Sequence, residues 1–90
     1  MIEILERNKS TFIPFDKIIE ITVDEQRKAL YIYLGNFDEV ETIKFNNPAT
    51  VRKVLQAFRR YGFEKGVRYK ILVGGKEDIR VLHHETGEAW

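Results

Sequence analysis

No cysteine occurs in this chain of 90 residues, so it offers no disulfide framework, no thiolate metal site and no cysteine nucleophile. That composition suits a reducing compartment, and the cytoplasm is the expected location. Serine is almost as scarce. Ser10 is the only one, and no motif links it to either histidine, which gives a nucleophilic triad no foothold. Carboxylates are plentiful, but none forms a recognisable acid/base pair, so an enzyme is the less favoured class and no cofactor is expected. There are two prolines and no tract rich in Gly, Ser or Pro, so nothing marks a linker and one domain over residues 1–90 is expected. No apolar run approaches the ~18 residues of a membrane span. Glu3 and Glu6 stand where a signal peptide would carry bases. Neither export nor a membrane partner is expected.

What is present is 43% hydrophobic and 32% charged, the balance of a globular domain with a heavily charged surface. A chain this short buries only about 60 to 70% of the surface its unfolded form exposes, so its own core gives modest stability and self-association is a common supplement.

Periodicity sets the fold class. Ile19, Ile21 and Val23 alternate with Glu20, Thr22 and Asp24, the period of a strand with one wet face. After a polar turn, Leu30, Ile32 and Leu34 alternate with Tyr31 and Tyr33. Val40 to Phe45 predicts a third strand with Ile43 and Phe45 inward and a bulge where the phase slips after Val40. The opening stretch Ile2 to Arg7 also alternates, while Phe12, Ile13 and Phe15 around Pro14 predict an anchored connection or edge segment.

Pro48 to Tyr61 predicts a helix. Asn47 suits the N-cap, Pro48 the first helical position and Gly62 a left-handed terminus. Val51, Val54, Leu55, Phe58 and Tyr61 fall on one stripe. Val67 to Val73 and Ile79 to Leu82 then alternate around Gly74-Gly75-Lys76-Glu77, predicting a hairpin. The expected fold is therefore α+β: an antiparallel β-meander, one amphipathic helix and a C-terminal β-hairpin, curled into a small roll or partial barrel. Curling is required because one helix, ~10 Å across, cannot cover a six-stranded sheet ~29 Å wide. The run Ile18 to Phe45 and the helix after it resemble the last strands and closing helix of pleckstrin-homology-like domains. The hairpin from Val67 departs from a fold that ends on its helix, and no function is carried over from the resemblance.

Charge is strongly segregated beneath a net charge of +1. Residues 51–76 carry eight bases against Glu64 alone, a net +7. Arg52, Lys53, Arg59 and Arg60, with Arg68 and Lys70 on the following strand, are the candidate nucleic-acid-binding residues. The competing explanation is a solvated helix face, with Arg59 and Arg60 complementing the helix dipole. Tyr31 and Tyr33 are the candidate oligomer interface, or an aromatic platform if Arg68, Lys70 and Arg80 join their face. His83, His84 and Glu85 suggest metal ligands, but neighbours on a strand point to opposite faces and no third histidine exists, so no metal is expected. The leading expectation is a non-catalytic protein-interaction or self-associating module whose partner is a second copy or another protein. The alternative is a nucleic-acid-binding accessory protein using residues 51–76.

Overall fold

The helix stands where its signals put it. In the computed structural model, which describes residues 1–36 and 38–83, α1 spans Pro48–Tyr61. The Asn47 side chain accepts from the Ala49 amide at 2.9 Å, and Gly62, at φ 67°, closes the helix by donating its own amide to Phe58 O at 3.0 Å. Val51, Val54 and Phe58 are buried, with Leu55 and Tyr61 half-buried beside them. A second clamp holds the helix entrance. The Glu77 carboxylate accepts from the amides of Asn46 and Asn47, both at 2.8 Å, and so ties the later hairpin turn to the helix N-terminus.

The strands are β1 (Ile2–Leu5), β2 (Ser10–Ile13), β3 (Ile18–Asp24), β4 (Ala29–Leu34), β5 (Glu39–Lys44), β6 (Val67–Leu72) and β7 (Asp78–His83), with a 3-10 turn at Phe15–Lys17. The chain is α+β, and among the described residues seven strands divide into two sheets that do not close into a barrel. The division answers the coverage problem, since two small sheets and the helix share one core. Ile2, Ile4 and Ile13, Leu30, Ile32, Ile43 and Phe45, Val51, Val54 and Phe58, and Val67, Tyr69 and Ile71 form one buried cluster, with Ile21 packed against it.

The meander sheet runs β3-β4-β5, antiparallel throughout. Its irregularity is not where the sequence placed it. β5 pairs with β4 without a break, whereas β3 shifts register between Ile18, opposite Leu34, and Glu20, opposite Tyr33. Ile19 is the extra residue of that bulge and is 43% exposed instead of alternating inward with Ile21 and Val23. Ile18 takes its place against the core.

The other sheet is mixed, in the order β2-β1-β6-β7. Here β1 is central: antiparallel to β2 and parallel to β6, with Ile2 opposite Tyr69 and Ile4 opposite Ile71. The parallel ladder is closed by Tyr69 N–H to Met1 O and Val73 N–H to Leu5 O, both at 2.9 Å. The Phe12–Ile13 segment is the edge strand β2, as its proline suggested. Among the paired histidines, His83 ends β7, and His84 and Glu85 lie outside the described residues.

Candidate interaction surfaces

The basic residues singled out from the sequence divide between two places. Arg52, Lys53, Arg59 and Arg60 are all exposed on α1. Lys53 Nζ lies 3.4 Å from Asp78 Oδ1, an exposed pair that adds little stability, and the Arg60 guanidinium sits 5.5 Å above the Tyr61 ring. Arg68 and Lys70 alternate on β6 with the buried Val67, Tyr69 and Ile71, so they project from the opposite face of the mixed sheet to the one that faces the core. Along one row of that outer face stand Phe12, Glu3, Lys70 and Arg80, in register across four strands. Phe12 is 56% exposed.

Tyr31 and Tyr33 belong to the other sheet. They lie on its outer face in two cross-strand rows, Thr22-Tyr31-Thr42 and Glu20-Tyr33-Val40. The tyrosines are half-buried and Val40 is 49% exposed. The tyrosine pair and the trio Arg68, Lys70 and Arg80 therefore do not share a face, and a combined stacking platform does not assemble.

Two features were not singled out in the sequence. Phe63 follows the helix-ending Gly62 and packs on Phe58, ring centroids 5.0 Å apart, the apolar contact that often accompanies a glycine helix terminus. It also meets Phe15 edge-on at 5.4 Å and remains 40% exposed. With Ile19 it lines a groove of ≈ 280 Å³ whose other walls are Phe15, Ile18, Glu20 and Ile21. The position of Phe63 after Gly62 was a usable signal. Nothing in a single sequence gave the bulge that turns Ile19 outward.

Titration in this molecule serves structure. The Tyr69 hydroxyl is pushed well above its ordinary range by burial and, secondarily, by Tyr61; it lies 2.6 Å from Gly62 O and 3.2 Å from Ala57 O, at the helix end. The Met1 amino group, lowered to about 6 by burial and then by Arg68, donates to Val67 O at 3.1 Å. Among the described residues no group of three or more His, Cys, Asp or Glu gathers as metal ligands, and no helix is long and apolar enough to cross a membrane. Compared with models of protein families, with curated proteins and with solved structures, the chain matches none.

Proposed function

We propose that this chain is a small non-catalytic interaction module that associates with protein, including a second copy of itself, through the outer face of its meander sheet. The observation that carries this reading is the outer face of the meander sheet. There Tyr31 and Tyr33, half-buried on the central strand, stand in rows with Thr22, Thr42 and Val40, the last 49% exposed. Tyrosine-rich, partly apolar faces of this kind are the composition of subunit contacts.

Its size sets the strength. Three strands of six or seven residues span roughly 14 Å by 20 Å, about 300 Å² in projection, well below the ~800 Å² per partner of a stable complex. Association through this face alone is therefore weak and concentration-dependent. Sedimentation equilibrium across the micromolar to millimolar range should show reversible association, and Val40→Lys should abolish it without altering the far-ultraviolet spectrum. A wild-type chain that stays monomeric at high micromolar concentration removes self-association from the reading.

A second reading, a nucleic-acid surface, is favoured by the four exposed bases on α1. If Arg52, Lys53, Arg59 and Arg60 contact phosphates, log affinity for an oligonucleotide falls with log salt at about −0.7 to −0.9 per contact, a slope near −3 for four. Arg52→Glu with Arg59→Glu should flatten that slope. No binding below ~100 μM, the weak end of non-specific affinity, sinks this reading.

A further inference from the structure

We infer that the groove between α1 and the edge strand β7 is a docking site for an extended acidic segment of another protein, which adds to the mixed sheet as a fifth strand. The inference rests on the interaction-module reading and names a surface separate from the tyrosine face. Among the described residues β7 pairs only with β6, and no described strand lies along its other edge. The Ile79 amide gives the phase of that edge. It donates to Asp78 Oδ1 at 2.9 Å, and because Tyr69 and Val73 donate toward β1, the residues paired with that set on β7, Ile79 and Val81, turn their amides away from β6. An incoming strand would meet the Val81 N–H and C=O and the Ile79 C=O there, with the Ile79 N–H available once Asp78 releases it, the main-chain source of affinity in strand addition.

The space beside that edge has a shape and a charge. A groove of ≈ 330 Å³ lies between the helix and β7, with Ile79, Val81, Ala57 and Tyr61 contributing apolar walls and Lys53 and Arg60 the cations. Among the described residues Asp78 is its only acid, and it already engages Lys53. A carboxylate on the incoming strand can take that place on Lys53 and a second can face Arg60. The same charges argue against a second copy in this position. Pairing β7 with β7 of another copy would bring two helices bearing Arg52, Lys53, Arg59 and Arg60 side by side, and like-charge juxtaposition across an interface costs several kcal/mol. An acidic strand gains where a second copy is repelled. A nucleic acid would satisfy the cations but would leave the outward amides and the apolar walls unmatched.

The test uses the full chain and a capped, fluorescently labelled peptide alternating valine and glutamate, equal in length to β7. The expected result is saturable binding with a dissociation constant below ~1 mM, with amide resonance shifts centred on Ile79 and Val81. The same peptide with lysine for glutamate should not bind, and methylating its alternate backbone nitrogens should abolish binding without changing its charge. Lys53→Glu with Arg60→Glu should weaken the acidic peptide by at least about tenfold and leave the fold and the self-association of the tyrosine face unchanged. The inference is overturned if the acidic peptide does not bind, if the methylated peptide binds equally well, if shifts centre elsewhere, or if a single-stranded oligonucleotide displaces the peptide at lower concentration. It is equally overturned if β7 proves to pair with β7 of a second copy. Self-association that persists while the peptide fails sinks this site alone; peptide binding by a chain that stays monomeric sinks the tyrosine face alone.

Discussion

Replacing Phe58 with alanine is expected to remove about 3 to 5 kcal/mol of folding stability, the range for deleting a large buried aromatic side chain. Phe58 is 7% exposed and is the hub of a ring cluster: its centroid lies 4.9 Å from Tyr69, edge-on, and 5.0 Å from Phe63. Truncation removes its own transfer free energy and opens a cavity between the helix and the mixed sheet. It also deprives Phe63 of the contact that secures the chain after Gly62. A domain of this size has roughly 5 to 15 kcal/mol in total, so the variant is marginal at best. Urea unfolding should show a much lower midpoint with little change in slope. A loss under ~1 kcal/mol would mean that the helix is not held by this stripe.

Tyr69→Phe is expected to cost about 1 to 3 kcal/mol, because it removes the hydroxyl that donates to the Gly62 carbonyl and leaves that acceptor unmatched at the helix end. Tyr69 is 1% exposed, yet its hydroxyl is placed against Gly62 O and Ala57 O. The Gly62 carbonyl lies past the last helical residue with no intrahelical donor, and the tyrosine supplies one from a strand. Phenylalanine keeps the ring and its edge-on packing with Phe58, so the change isolates the hydroxyl. Paired urea titrations of wild type and Tyr69→Phe measure it. A difference under ~0.3 kcal/mol would show that water satisfies that carbonyl equally well.

How much of this architecture the sequence disclosed depended on how local each signal was. The helix bounds, the meander and the hairpin all rest on caps, turns and alternation within a few residues, and the structure has them where the sequence predicts. The parallel pairing of β1 with β6 has no such signal, since no turn joins the two strands and either alternation alone is compatible with many partners. For the same reason one sheet was expected where there are two. Ile19 looked inward because a bulge leaves no mark in a period-two pattern except its broken phase, and Ile18-Ile19 supplies an apolar residue at both phases. The candidate surfaces were legible as residue types and not as groupings. Arg68 and Lys70 are close in sequence to the helix bases, but the strand's alternation carries them to the far side of the sheet. The clamp of Glu77 on Asn46 and Asn47 joins positions 31 and 30 residues apart, beyond the reach of any pattern in the chain.

The pairing of β1 with β6 also governs the order in which this protein can be made. Ile2–Leu5 finds its parallel neighbour only in Tyr69–Leu72, so the loop between them must close over almost the whole chain. In a simple polymer estimate that closure costs about 4 kcal/mol in lost chain entropy before the ladder returns any of it. During synthesis the meander can pair as soon as it leaves the ribosome, because its strands are joined by short turns. Residues 2–5 are made before their parallel neighbour, and although β2 can pair with them at once, their other edge must wait until the segment after the helix is released. The mixed sheet is therefore the late-forming half of the molecule. High contact order of this kind slows folding, and the exposed interval falls on β1, whose β6-facing edge stays unsatisfied until then while β2 covers the other.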